Sequence, residues 1–109
     1  MQIPHFPFAI IDWPSVMKEE HQGETGTAYW QVIHVGNIRV RKLTYSPNYK
    51  ADHWCSKGHI IHCVEGEMQT ELDDGRMMNL KTGATYIVGD DCEAHRTSTE
   101  KGCVLFVVD

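Results

Sequence analysis

The stretch ADHWCSKGHIIHC, residues 51–63, sets three histidines and two cysteines among thirteen positions. It can be read as a metal site, a disulfide-bearing segment or a strand rich in soft side chains. On an extended chain alternate residues share a face. His53 and Cys55 therefore point the same way, and His59, four positions further on, joins them if the only turn falls at Lys57-Gly58. Trp54, Ile60 and His62 then take the opposite face. Imidazole and thiolate are favoured ligands of zinc and other late first-row metals. His95, which follows the turn GDDCEA (89–94) and opens a late strand, is the best-placed fourth ligand from elsewhere in the chain.

The surroundings of this segment are those of an ordinary globular domain. The chain has 109 residues, 41% hydrophobic and 23% charged, enough for one core and too few for two. A net charge of −5 without a basic stripe argues against a nucleic-acid partner. No apolar run approaches the length of a membrane span, and MQIPHFPFAIIDW lacks the features of a secretory signal. The expectation is a soluble, cytoplasmic protein whose four cysteines stay thiols. Cys63 and Cys103, inside apolar strands, read as core thiols, and a disulfide between them is disfavoured by that compartment.

Short strands dominate the pattern. AYWQVIH (28–34) and IRVRKLTYS (38–46) are rich in β-branched and aromatic residues, and GHIIHCV (58–64) follows. GEMQTELDDGRMMNL (66–80) reads as a hairpin turning at Asp74-Gly75, a pair suited to a type I′ turn. TYIV (85–88), HRTST (95–99) and CVLFVVD (103–109) complete the set. The one helix candidate is WPSVMKEEH (13–21), with Asp12 as cap and Pro14 in its first turn. Seven or eight such strands, without crossover helices, predict an all-β sandwich or jelly-roll barrel. The expected organisation is a single domain, 1–109, with an N-terminal extension (1–27) carrying the short helix and a barrel over 28–109.

Two segments carry a resemblance. Residues 51–67 are similar to the first motif of the cupin superfamily and GATYIVGDDCEAHRTST (83–99) to the second, a likeness that extends over residues 28–109. His53, Cys55 and His59 stand at the positions of that family's two histidines and glutamate, and VEGE (64–67) supplies the glycine turn at Gly66. Gly83 and His95 fit the second motif, although its proline-glycine is absent and the spacing to His95 is one residue longer. The order DHWC…GH also resembles small bacterial cupins described by an Asp-His-Cys-Trp motif. The resemblance implies a jelly-roll barrel with a short N-terminal helix, holding one metal ion on His53, Cys55, His59 and His95. Three imidazoles and one thiolate keep the formal charge of the family's three histidines and a glutamate but make the set softer. Zinc or iron is expected first, with nickel, copper or manganese admissible.

The blander reading keeps the same residues as interior polar packing of a barrel that has lost its metal. Cys92, in Cys-x-x-His with His95, is a rival ligand, but its turn suggests an exposed cysteine. Arg41 shares parity with Leu43 and Tyr45, so it either enters the barrel to hold a carboxylate or, after a β-bulge, stays with Arg39 in solvent. Two functions remain open: a metal-dependent enzyme of oxygenase or isomerase type acting on a small molecule, and a non-catalytic metal-binding or sensing module. No general base is evident, with Tyr45 and Tyr49 the only suggestions. A small-molecule ligand and a homodimer formed through the apolar segment IPHFPFAII (3–11) are the expected partners.

Overall fold

The computed structural model describes residues 2–109. Nine strands, all paired antiparallel, form a curled sheet: β1 Glu19–Gln22, β2 Thr27–Val35, β3 Ile38–Tyr45, β4 Tyr49–Lys50, β5 His59–Leu72, β6 Met77–Lys81, β7 Thr85–Val88, β8 His95–Thr99 and β9 Cys103–Val108. One leaf runs β1-β2-β3-β9-β5-β7, and the other is built from β6, β5, β8 and β4. Strand β5 belongs to both. Its first half pairs with β7 and β9 and its second with β6 and β8, across a register shift between Cys63 and Glu65. Gly66 (φ +82°) makes the passage, because a Cβ there would lie 2.5 Å from the Gly102 carbonyl oxygen. The two segments expected around Gly66 are therefore one bent strand.

The predicted helix over 13–21 does not form. Only Trp13–Ser15 make a single 3₁₀ turn, and Glu19–Gln22 pair with Thr27–Trp30 as β1. After Met17 the segment offers no apolar face to bury, and pairing with β2 satisfies its backbone instead. The turn itself is tied to β2 by the Gln31 side chain, which donates to the Trp13 and Val16 carbonyls at 2.6 and 2.9 Å. The hairpin at Asp74-Gly75 forms, but with a different turn. Asp73–Gly75 make a three-residue loop in which Gly75 (φ +93°) donates to Leu72, and Asp74 keeps a negative φ, so a type I′ turn is excluded.

Cross-strand register sorts the interior into rows. Leu43, Leu105 and Cys63 lie opposite one another on β3, β9 and β5, and with Met68, Leu80 and Val107 they form a dry core. The next row toward the other end reads Arg41, Val107, Ile61 and Tyr86 on β3, β9, β5 and β7. In the row beyond that, Arg39 pairs its backbone with Asp109, which contacts His59. The barrel is thus apolar at one end and strongly polar at the other. Among the described residues no helix is long and apolar enough to cross a membrane.

Candidate metal centre

Three of the four expected ligands meet at the polar end. The candidate ligand atoms of Cys55, His59 and His95 all lie within 4.8 Å of one another, with both histidines buried. His59 is the first residue of β5 and His95 the first of β8. Cys55 lies in the loop before β5, but its backbone exchanges two hydrogen bonds with His95, N to O at 2.8 and 2.9 Å. That isolated bridge is what brings the thiol to the histidines. The turn at Gly58 completes the approach, since a Cβ there would meet Asp90 N at 2.7 Å and Val88 O at 2.8 Å.

His53 does not join them. The chain bends at Asp52-His53, so the extended parity that aligned His53 with Cys55 is lost, and the His53 side chain is 76% exposed against Asp52. Trp54 lies outside as well, under the Arg96 guanidinium at 4.9 Å. Cys92, the rival ligand, is exposed in its turn, as that turn suggested, and is not among the clustered ligands. His62 faces away from the centre and pairs with Thr85 Oγ1 at 2.8 Å. Cys63 and Cys103 are buried free thiols, and burial together with neighbouring Cys63 pushes Cys103 up to about 12.

The rings are oriented for a metal. His59 Nδ1 lies 2.8 Å from Asp109 Oδ2, and its Nε2 is 3.4 Å from Cys55 Sγ. His95 Nδ1 lies 2.8 Å from the Glu93 carbonyl oxygen, leaving its Nε2 buried with no hydrogen-bond partner. A carbonyl can only accept, so His95 carries a proton on Nδ1, and Nε2 is the ring atom turned to the cluster. The rings stand nearly perpendicular, 82° apart, with centroids 5.1 Å apart. Outer partners that fix each imidazole while freeing its other nitrogen are the usual support of a metal-binding histidine. A buried, unpartnered imidazole nitrogen facing a thiol suits a metal ligand better than plain polar packing.

Asp109 is the residue that sequence reasoning missed. Its carboxylate is 1% exposed and accepts from Arg39 Nε and Nη2 at 2.9 and 3.0 Å, from Arg41 Nη2 at 3.0 Å, and from His59. Burial alone would raise its pKa. Hydrogen bonds from His59 and Arg39 and the positive charges of Arg41 and Arg39 prevail and hold it well below the usual carboxylate range. Arg41 does enter the barrel: β3 pairs without a bulge over its whole length, and the guanidinium also lies 4.7 Å from the Trp30 ring centre. Burial, then Arg39, lowers the Arg41 pKa. The parity of Arg41 signalled a carboxylate partner, but nothing local in the sequence picked out Asp109.

A cavity of about 380 Å³ opens beside the cluster, lined by His95, Tyr86 and Thr70 and by the apolar Leu72, Leu80 and Val88. Tyr86 packs edge-on to His95 with centroids 6.2 Å apart, and burial raises its pKa. Tyr45 and Tyr49 instead stack on each other at 4.3 Å, with Tyr45 paired to Cys103 at the dry end. Tyr86, not either of them, is the tyrosine beside the centre.

No protein-family model matches the sequence, and no match emerges among curated proteins. Solved structures do match. A predicted oxalate decarboxylase from Thermotoga maritima superposes with TM-score 0.77 at 12% identity, over 92% of this chain and 96% of that one. The polyketide cyclase RemF from Streptomyces resistomycificus gives 0.75 at 21%, over 94% and 78%. A cupin-2 domain containing protein from Shewanella frigidimarina gives 0.61 at 13%, over 73% and 78%. At such identities the likeness speaks for architecture alone, and it agrees with the curled antiparallel sheet. The chain thus shares the fold of these solved structures, a cupin-2 domain containing protein among them.

Proposed function

We propose that the chain is a mononuclear metal protein in which Cys55, His59 and His95 hold a divalent transition ion, and that it acts as a metal-dependent enzyme of oxygenase or isomerase type on a small molecule. The observation that carries this reading is the buried, unpartnered Nε2 of His95, aimed at the Cys55–His59 pair. One thiolate with two imidazoles suits zinc or iron first, with nickel, copper or manganese behind. Three protein ligands leave coordination positions open, the arrangement of a catalytic rather than a structural zinc site. When bound, such an ion supplies Lewis acidity and a template for a substrate oxygen.

The protein's own residues have separate tasks. Asp109 holds the His59 ring in place, the Glu93 carbonyl holds His95, and Leu72, Leu80 and Val88 give the cavity an apolar part beside the polar Arg76, Asn79 and Glu93. A binding or sensing module without turnover is the second reading. It draws support from Asp109, whose carboxylate is fully engaged and leaves no free base at the centre.

Metal analysis of untagged protein, followed by cobalt substitution, tests the proposal. The expected result is one ion per chain, a sulfur-to-cobalt charge-transfer band and more than four ligands. Cys55→Ser removes the band and weakens affinity at least tenfold, whereas His53→Ala and Cys92→Ser leave both unchanged. Metal retained at full affinity without the Cys55 sulfur would overturn the assignment. We further propose a homodimer, supported by the exposed apolar Ile3, Phe8 and Ile10 of the N-terminal segment. A monomer in light scattering would remove that part.

A further inference from the structure

The carboxylate behind His59 does not serve that ring alone. Asp109 Oδ1 accepts from Arg39 Nε at 2.9 Å, whereas Oδ2 is shared by three donors: Arg39 Nη2 and Arg41 Nη2, each at 3.0 Å, and His59 Nδ1 at 2.8 Å. The two arginines approach differently. Arg39 holds both oxygens as a fork, the geometry in which guanidinium and carboxylate fit best. Arg41 offers only Nη2, to the oxygen that His59 also uses, and its Nε is left buried without a partner.

An unpaired N–H in the interior is costly, so a side chain held that way calls for an explanation beyond its own satisfaction. Arg41 is only 5% exposed on a strand that pairs without a bulge, and its guanidinium lies 4.7 Å from the Trp30 ring centre, which fixes its approach. An ionised carboxylate can only accept, so His59 carries a proton on Nδ1 and turns Nε2 toward Cys55 Sγ, 3.4 Å away. A carboxylate on the Nδ1 proton makes a ligating imidazole more basic. Positive charge placed on the same oxygen opposes that pull.

We infer that Arg41 is a positioning residue which, by sharing Asp109 Oδ2, loosens the hold of the carboxylate on His59 and keeps that histidine a weaker ligand. The inference rests on the metal reading and adds the regulation of the same site. Arg41 tunes how tightly Cys55, His59 and His95 hold a cation. Arg39, paired to both oxygens, keeps Asp109 in place when Arg41 is changed.

Two measurements on Arg41→Met test it. In metal-free protein the His59 Nδ1 proton resonance should move downfield, because its hydrogen bond to Asp109 tightens. Zinc affinity, read by chelator competition, should rise about threefold, opposite in sign to the loss that follows when a direct outer partner of a ligating histidine is removed. Arg41→Lys, which keeps the charge, should return both readings toward wild type. An arginine that only packs the barrel end would lower zinc affinity when removed. A fall in affinity, or an unmoved resonance, in folded Arg41→Met therefore overturns the inference. If Arg41→Met does not fold, Arg41→Gln takes its place with the same expected signs. Wild-type protein that binds no zinc overturns the metal reading and the tuning with it. Zinc bound one per chain, with affinity unchanged in Arg41→Met, overturns the tuning alone.

Discussion

The two ends of the barrel interior are lined by the same strands and behave as different materials. At one end Leu43, Cys63, Met68, Leu80 and Leu105 pack without a polar side chain among them. At the other, β3 and β5 present Arg39, Arg41 and His59 within hydrogen-bonding reach of Asp109, the residue that follows β9. β5 alone contributes a histidine of the Cys55–His59–His95 cluster at its start and a fully buried thiol four residues later. The difference shows that parity chooses the inward face, while position along the barrel chooses what that face is for. The dry end supplies stability through burial; the polar end spends part of it to hold charge away from water.

That contrast can be broken at Asp109 first. Asp109→Asn leaves two arginines around an uncharged amide, and urea denaturation should register a loss of about 3–5 kcal/mol. If the loss is below about 1 kcal/mol, the charge network is solvated and the contrast between the two ends fails. Next in size is Leu105→Ala at the dry end. It should cost about 3 kcal/mol in the same measurement, yet leave metal affinity, read by chelator competition, unaltered.

A smaller effect follows from pH. The Asp109 pKa is lower in the folded state than in the unfolded chain, so its stabilisation is fully present above the unfolded value of about 3.9. It is lost progressively as pH falls from there toward the folded value. Stability measured against pH should drop on the acid side, and Asp109→Asn should flatten that limb. The smallest and quickest test uses an aromatic disulfide reagent at pH 8. Cys92 should react at once, Cys63 and Cys103 only on unfolding, and Cys55 at a rate that added zinc suppresses. Fast modification of Cys103 in the folded protein would show that the dry end is open.

Much of this was readable before any coordinates. Alternation in residues 66–72, the Asp-Gly turn and the absence of crossover helices specify a β-barrel, because side-chain period and turn chemistry are local properties. The outward face of His62 follows from the same period, whereas parity left Arg41 open between the interior and a bulge, and only the unbroken β2–β3 pairing decided for the interior. Parity failed at His53, where a bend at Asp52-His53 resets the count, and the helix expectation failed where an open strand edge offered Glu19–Gln22 a better use of their backbone.

The sequence by itself determined the strand content, the faces of the long strands and the supply of soft ligands. Only the tertiary structure decided which ligands meet, for that depends on a single backbone bridge between Cys55 and His95, forty residues apart in the chain. It likewise recruited Asp109, fifty residues from His59, because strand pairing brings β9 beside β5 and no local rule records which strands will be neighbours.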